Sequence, residues 1–286
     1  MTTFALVLVL ASAVAHATWN LFAKRSAGGV PFIWLALTLA IPIYAPFAAL
    51  VLLLTAPRIG PGELAFMLGS SALHVGYFVF LQRAYRIGDL SVVYPIARGT
   101  GPVLSTAAAI AVFGERPTPL ALAGAVAIAA AVFVLAGDPR ALRRSARGGA
   151  IGYALLTGLT IAAYTLWDKR GVGVLLVPPL LYDWVVNVGR SLLLAPFAAS
   201  RWTEVRAEWA ANRGSVLAVA VLSPLAYILV LSALAVSPVS YVAPARETGI
   251  LIGSLMGARV LAEGDARRRG LAAAAMVAGV IALALG

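Results

Sequence analysis

Residues 97–101 read Ala-Arg-Gly-Thr-Gly, and residues 245–249 repeat this segment as Ala-Arg-Glu-Thr-Gly, 148 residues further along the chain. Three more pairs of residues coincide at the same offset: Trp19 with Trp167, Pro31 with Pro179, and Glu115 with Glu263. Alanine and leucine match easily by chance, but tryptophan, proline, arginine and glutamate in one register do so less readily. A fixed internal offset is typical of a duplicated structural unit.

The composition places the chain in a membrane. Of its 286 residues, 62% are hydrophobic and 12% are charged, and the mean hydropathy is +0.94. Soluble domains are about 45–50% apolar and about 25% charged, so the apolar excess must face lipid. The chain has no cysteine, which excludes disulfides, a cysteine nucleophile and a thiolate metal site. We expect no metal and no cofactor, and the absence of a P-loop motif argues against ATP as the direct energy source.

Apolar runs long enough to cross a bilayer, which takes about 20 residues, predict ten membrane spans. The predicted spans are 3–23, 30–54, 64–82, 91–113, 119–137, 149–168, 174–198, 214–236, 238–258 and 270–286. The runs lack the alternation of barrel strands. The predicted fold class is therefore an all-α polytopic membrane protein with ten transmembrane helices.

The repeat divides these spans into two units of five. We predict a first five-helix repeat at residues 3–137, a basic linker at 138–148 and a second repeat at 149–286. Because five is odd, the second unit must enter the membrane from the opposite side, which makes an inverted-topology repeat. The alternative is that duplication only produced a larger bundle.

Small residues recur every fourth position in both repeats. The two stripes are Gly101, Ser105 and Ala109 in the fourth span, and Gly249, Gly253 and Gly257 in the ninth. Because such stripes let helix backbones approach closely, we expect the fourth and ninth spans to pack together through them.

The net charge of +11 is chiefly a signal of topology. Fifteen of the 22 Lys and Arg residues fall on one side of the predicted membrane and four on the other, while Arg98, Arg190 and Arg246 lie inside spans. The positive-inside rule places the rich side, including the 138–148 linker, in the cytoplasm and both termini outside. Nucleic acid is not an expected partner.

Several segments resemble the EamA family of the drug/metabolite transporter superfamily. They are SVVYPIAR at 91–98, GERPT at 114–118, the stretch from Ser240-Tyr241 to Ala262-Glu263, and ATWNLFAK at 17–24. The resemblance implies a ten-helix bacterial inner-membrane exporter of amino acids or other metabolites. Small multidrug relatives use a first-helix glutamate, which this first span lacks, so a cationic-drug antiporter is disfavoured. Many ten-helix relatives are drawn with cytoplasmic termini, opposite to the charge bias here.

Polar groups inside spans are costly and usually face a cavity or a partner. The predicted substrate-binding residues are His16, Trp19, His74, Tyr77, Gln82, Tyr94, Arg98, Tyr164, Trp167, Tyr227 and Arg246, with Asp183 and Glu247 as candidates for proton or ion coupling. An arginine can hold a carboxylate through two hydrogen bonds. The alternative is structural: paired or snorkelling arginines, hydrogen-bonded histidines, and tryptophans that anchor the interface.

The function predicted from these features is secondary-active export of amino acids or similar small zwitterionic metabolites by alternating access through a central cavity between the repeats. Efflux of cationic drugs or other metabolites is the main alternative. A lipid-modifying membrane enzyme is disfavoured because the acidic residues are scattered, and a sensor or assembly factor because no output domain is evident. We expect a small-molecule substrate and the lipid bilayer as partners, no enzymatic activity, and no requirement for more than a monomer.

Overall fold

The computed structural model describes residues 1–25, 29–88, 90–136, 149–261 and 266–286. Within these ranges the chain is helical and forms no strand. Eleven helices follow one another: α1 Thr3–Arg25, α2 Val30–Thr55, α3 Pro61–Ile87, α4 Leu90–Phe113, α5 Pro119–Ala136, α6 Ala150–Gly173, α7 Pro179–Ala199, α8 Trp202–Val236, α9 Val239–Arg246, α10 Thr248–Leu261 and α11 Ala266–Leu285. The 138–148 linker and Glu263 lie outside the described residues.

Proline and its capping partners begin several of these helices. Pro61 opens α3, where the carboxylate of Glu63 accepts a hydrogen bond from the Gly60 amide at 2.8 Å. Pro119 opens α5, and the Thr118 hydroxyl accepts one from the Ala121 amide at 3.1 Å. Because proline has no N–H to leave unpaired at a first helical position, it starts a helix at no cost in hydrogen bonding. These caps place the ends of the helices.

The ten predicted helices are present when α9 and α10 are counted as one broken helix. Only Glu247 separates the two, and there the backbone bonds shorten to i, i+3: the Glu247 amide donates to the Pro244 carbonyl and the Ile250 amide to the Glu247 carbonyl. Pro244 has no amide hydrogen for the Ser240 carbonyl, so the turn just before the break lacks one bond of the α-helical ladder. The interruption lies in the middle of the predicted ninth span.

Six helices are long and apolar enough to cross a membrane by length and composition alone. They are Thr3–Ala23, Val30–Thr55, Pro61–Ile87, Val92–Phe113, Ala150–Gly173 and Trp202–Val236. Pro119–Val134 and Gly270–Leu285 are shorter apolar helices. The remaining helix pieces are α7, which carries Asp183 and Arg190, and the short segments α9 and α10.

Four predicted boundaries are wrong by five residues or more, and one of them is the end of α3, which continues to Ile87 instead of ending at 82. Helix α6 continues to Gly173 instead of ending at 168, α7 begins at Pro179 instead of 174, and α8 begins at Trp202 instead of 214. Hydropathy falls at Lys169 and Arg170 although the backbone stays helical, and the chain then turns at Leu176, whose φ is 56°. The first turns of α8 carry the charged residues Glu204, Arg206 and Glu208, which lower the hydropathy there, and Asn212 marks a kink after them.

The two halves of the chain interleave rather than sit side by side. Helix α1 packs against α8, α9 and α10; α6 packs against α3, α4 and α8; α2 packs against α7 and α8; and α5 packs against α11. At the end of the bundle where α1 begins, a large apolar cluster fills the interior, with Val9, Tyr182, Leu231 and Val239 among its members. That end is therefore closed.

The small-residue stripes pack against other helices, not against each other. A Cβ on Gly101 would lie 2.7 Å from Ile161 of α6, and one on Gly249 would lie 3.3 Å from the Ala13 carbonyl oxygen of α1. Helix α4 does contact α9. The prediction that the stripes form that contact is wrong, because these glycines face α6 and α1.

Among the described glycines, those of α5 and α11 lie closest to the backbone of another helix. A Cβ on Gly124 would lie 2.6 Å from the Gly279 carbonyl oxygen, and one on Gly279 would lie 2.7 Å from the Gly124 carbonyl oxygen. We expect Gly124→Ala to lower the free energy of unfolding by about 1–3 kcal/mol, the usual cost of overpacking. Unfolding in mixed micelles, followed by circular dichroism, measures this.

Gly152→Ala is the matched control for that variant, since nothing lies within 4 Å of the added Cβ. It replaces a helical glycine without a clash and should be neutral or slightly stabilising. Equal stability of the two variants would contradict the α5–α11 packing.

Candidate functional site

A cavity of about 150 Å³ lies inside the bundle, lined from α1, α2, α3, α4, α6, α7, α8 and α9. Its polar and aromatic lining comprises Ser12, His16, Trp19, His74, Tyr77, Phe78, Arg98, Tyr164, Asp183, Asn187, Arg190, Ser223, Tyr227 and Arg246. Apolar side chains such as Ile33, Leu37 and Val219 complete the wall. The cavity is thus mixed in character, with a few charged groups set among aromatic rings, as small-molecule sites usually are.

Aromatic side chains from three helices form one wall. The ring of His74 stacks on Tyr164 with centroids 4.2 Å apart and meets Tyr227 edge-on at 5.1 Å. Tyr77 meets Tyr164 edge-on at 5.9 Å. His74 Nδ1 donates to the Ser70 carbonyl oxygen at 2.9 Å, which fixes the ring orientation.

Three polar residues of α7 form a ladder along the opposite wall. Asn187 donates to the Asp183 carboxylate at 2.7 Å, and Arg190 donates to the Asn187 carbonyl oxygen at 3.4 Å. Spacings of four and three residues put the three side chains on one helix face. Asn187 therefore links Asp183 to Arg190, which are too far apart along the helix to bond directly.

Arg98 and Glu247 form a buried ion pair across the two halves of the chain. Arg98 Nη2 lies 3.0 Å from Glu247 Oε2, and the two side chains are only 5% and 2% exposed. Glu247 is the residue at the break between α9 and α10. The pair thus ties α4 to the interruption in the ninth helix.

Arg246, the neighbour of Glu247, is held differently. Its Nη2 donates to the Tyr164 hydroxyl at 2.9 Å, and its Cζ lies 5.8 Å from the centre of the Tyr164 ring. Among the described residues, no carboxylate lies within ion-pair distance of Arg246. The guanidinium group therefore faces the cavity with donors free for a ligand.

Asp168 is a carboxylate one side chain behind the cavity wall. It is fully buried and accepts hydrogen bonds from the Tyr182 hydroxyl at 2.9 Å and from the Tyr227 hydroxyl. Tyr227 itself lines the cavity. One hydroxyl group thus separates this carboxylate from the cavity.

The structure brings nine of the thirteen predicted site residues together at the cavity. These are His16, Trp19, His74, Tyr77, Arg98, Tyr164, Asp183, Tyr227 and Arg246.

Four of the predicted residues lie outside the lining. Glu247 is one residue removed, as the partner of Arg98. Trp167 stacks on Phe66 with centroids 4.5 Å apart, and Tyr94 packs beside the cluster of Ile250 and Leu251. Gln82 is half-buried on α3, one turn beyond Phe78.

The predicted substrate-binding and coupling residues did not include Asn187, Asp168 or Arg190. The spacing of Asp183, Asn187 and Arg190 on one helix face is a signal for the ladder, once the asparagine is counted. No local pattern links Asp168 to Tyr182 and Tyr227, since their contacts join three different helices. Across the described ranges, no group of three or more His, Asp or Glu side chains is placed to hold a metal ion.

A helical bundle with apolar spans and an interior cavity that carries charged side chains has the architecture of a membrane transporter. Residues 3–137 match the model of the EamA-like transporter family, whose members are transporters of the drug/metabolite type. This match and the apolar helices support a multi-pass membrane protein of the transporter class.

Comparison with solved structures gives the same fold. One protein crystal structure matches with a TM-score of 0.77 and 17% identity, covering 100% of this chain and 98% of that one, and 27 chains match in all. At this identity the likeness shows the fold alone. No curated protein matches the chain.

Proposed function

We propose that the protein exports amino acids or similar small zwitterionic metabolites, and that Arg246 holds the substrate carboxylate. The observation that carries this proposal is the environment of Arg246. It lines the cavity, donates to a neutral tyrosine, and has no carboxylate within ion-pair distance among the described side chains. A planar guanidinium group presents paired donors that match a carboxylate.

Asp183 supplies the complementary charge for an ammonium group. It lines the same cavity, and one of its oxygens accepts the bond from Asn187. A zwitterion placed with its carboxylate at Arg246 and its ammonium group toward Asp183 satisfies both ends. The aromatic wall of His74, Tyr77 and Tyr227 then receives the side chain.

Size and charge both disfavour a cationic drug. Pockets for drug-sized ligands measure roughly 300–1,000 Å³, whereas this cavity measures about 150 Å³. Its lining contains Arg98, Arg190 and Arg246 against the single carboxylate of Asp183. Among these lining residues a cation would find one carboxylate, that of Asp183, because Glu247 and Asp168 lie behind the lining, and this favours the amino-acid substrate over the alternative.

We also propose that residues 3–137 and 149–286 are inverted repeats. Exchanging α1 with α6, α2 with α7, α3 with α8, α4 with α9–α10, and α5 with α11 converts the most extensive helix contacts into one another. The α1–α8 contact becomes α6–α3, α1–α10 becomes α6–α4, and α2–α8 becomes α7–α3. Discontinuous helices at the repeat interface line the substrate sites of many such transporters, and the break at Glu247 supports this comparison.

Alternating access then requires the closed end of the bundle to open. Two side chains hold the turn between α8 and α9 at that end. The Glu115 carboxylate accepts hydrogen bonds from the Val239 and Ser240 amides at 2.7 and 2.8 Å, and Lys169 Nζ donates to the Leu234 and Ser237 carbonyls at 2.6 and 3.0 Å. Release of these bonds frees the turn when one repeat rocks against the other.

The distribution of Lys and Arg supports the orientation predicted from the sequence. The side that carries the 138–148 linker faces the cytoplasm of a bacterial inner membrane, and both termini lie outside. A monomer contains the whole cavity, so the proposal needs no second copy.

Counterflow into liposomes tests the proposed function. Purified protein in liposomes preloaded with an unlabelled amino acid is given labelled L-alanine, L-threonine, L-methionine or L-phenylalanine outside. We expect saturable uptake of at least one of them and no uptake of ethidium, a cationic dye larger than the cavity. Amino-acid uptake no higher than in protein-free liposomes, or uptake of ethidium alone, would contradict the proposal.

A further inference from the structure

We propose that Asp168 is a proton-binding site coupled to the substrate: a carboxylate that binds at Arg246 causes uptake of one proton at Asp168. This inference rests on the proposed function, because it takes Arg246 as the group that holds the substrate carboxylate.

The argument starts from the charges inside the bundle. Among the described residues, three arginines lie at the cavity, with Arg98 buried and Arg190 and Arg246 half-buried, and three carboxylates, those of Asp168, Asp183 and Glu247, are buried. Arg98 pairs directly with Glu247, and Arg190 is linked to Asp183 through Asn187. Arg246 and Asp168 are left as the third cation and the third anion.

A short chain of side chains connects these two. Arg246 donates to the Tyr164 hydroxyl, the Tyr164 and Tyr227 rings lie 6.3 Å apart, and the Tyr227 hydroxyl donates to Asp168. The positive charge of Arg246 acts on Asp168 across this distance. While the cavity holds no anion, Arg246 therefore compensates the negative charge of Asp168.

A bound carboxylate removes that compensation. Once the substrate carboxylate pairs with Arg246, Asp168 is a fully buried anion whose remaining partners are the neutral hydroxyl groups of Ser70, Tyr182 and Tyr227. An uncompensated buried charge is costly, and taking up a proton removes the cost. Binding of the anion and binding of the proton thus strengthen each other by the same factor.

The other titratable or charged groups facing Asp168 do not replace Arg246. On α3, His74 is tied to the Ser70 carbonyl, and on α4, Arg98 is paired with Glu247. On α7, Tyr182 donates its hydroxyl hydrogen to Asp168, and Asp183 is a second carboxyl group that accepts from Asn187, so neither supplies a positive charge. The adjacent Lys169 donates to backbone carbonyls at the end of α8.

Tyr227 provides the route for the proton. Its hydroxyl oxygen borders the cavity while its hydrogen is donated to Asp168 Oδ2. The hydroxyl passes its own proton to the carboxylate as its oxygen accepts one from a hydronium ion in the cavity, which becomes water, so the tyrosine is unchanged and the carboxylate becomes a neutral acid.

Proton uptake during binding tests this inference. Purified protein in a weakly buffered solution with a pH indicator is titrated with L-alanine, and with alaninamide as the probe that lacks a carboxylate. We expect about one proton taken up per L-alanine bound, none with alaninamide, and an affinity for L-alanine that falls about tenfold per pH unit above the titration of Asp168.

Asp168→Asn, which keeps the size of the side chain, is expected to abolish both the proton uptake and the pH dependence of binding. Glu204→Gln, an exposed carboxylate on α8, is the matched control and should behave as the wild type does. Infrared difference spectra provide a second measurement: the carbonyl band of a protonated carboxylic acid appears when L-alanine binds to the wild type and is missing in Asp168→Asn.

The outcomes separate the two proposals. Wild-type binding of L-alanine without proton uptake, or proton uptake that persists in Asp168→Asn, overturns this inference and leaves the proposed function standing. Failure of the wild type to bind any of the four amino acids used in counterflow overturns the proposed function and this inference together.

Discussion

Arg246→Ala is expected to weaken the binding of amino acids by about 10- to 150-fold. A hydrogen bond to a charged group contributes about 1.5–3 kcal/mol, and each 1.4 kcal/mol is a factor of ten in affinity. The variant removes the one cavity arginine that donates to a neutral tyrosine with no carboxylate in reach among the described residues. Equilibrium binding of labelled L-alanine, with alaninamide as competitor, measures the loss.

Two further variants sharpen that experiment. Arg246→Lys keeps the charge but loses the planar pair of donors, so its affinity should fall between those of the wild type and the alanine variant. Arg206→Ala removes an exposed arginine of α8 and should bind as the wild type does. Unchanged affinity in Arg246→Ala would remove the proposed role of this residue and return it to a structural one.

Arg98→Ala and Glu247→Ala are each expected to destabilise the protein by about 3–5 kcal/mol. Removing one member of a buried ion pair leaves the other charge without compensation, and that cost is of this size. Both side chains are almost fully buried, and their nitrogen and oxygen atoms lie 3.0 Å apart. Unfolding in mixed micelles gives the free energies.

The double variant Arg98→Met with Glu247→Met is the matched control. Replacing both charges with apolar side chains of similar length leaves no unpaired ion, so we expect most of the lost stability to return. The same variants distinguish a structural role of Arg98 from a role in substrate binding. If the single variants were as stable as the wild type but did not bind amino acids, Arg98 would be assigned to the substrate instead of to Glu247.

Much of the fold was predictable because every helix that crosses a membrane needs a long run of apolar residues. The apolar runs located the helices, and proline placed several of their starts, as at Pro61 and Pro119. Hydropathy does not predict that a helix continues through polar residues. For this reason α6 ends later than predicted, beyond Lys169, and α8 begins earlier than predicted, at Trp202. Pro244 removes one bond just before the break at Glu247, but a proline does not by itself break a span, since α4 continues through both Pro95 and Pro102.

The candidate site was predictable in its residue types and only in part in its arrangement. Nine lining residues were predicted from charged and aromatic side chains inside apolar spans. Such charged groups face a cavity or a partner because their burial in lipid is costly. Which groups pair with which depends on contacts between helices, and no spacing in the sequence encodes the Arg98–Glu247 pair or the tyrosines around Asp168. For the same reason the stripes at Gly101 and Gly249 were predicted to pack, but against the wrong helices.

Filling the cavity tests the central claim, that substrate crosses the membrane through it, most directly. Ser223 lines the cavity and is half-buried, so Ser223→Trp places an indole ring in that space. Leu53→Trp, at a position 81% exposed on the outer surface of α2, is the control for the tryptophan itself. Both variants are checked for monodisperse behaviour in detergent before they are placed in liposomes. Our account predicts amino-acid counterflow close to wild type for Leu53→Trp and at the level of empty liposomes for Ser223→Trp; a folded Ser223→Trp protein that transports as fast as the wild type would contradict it.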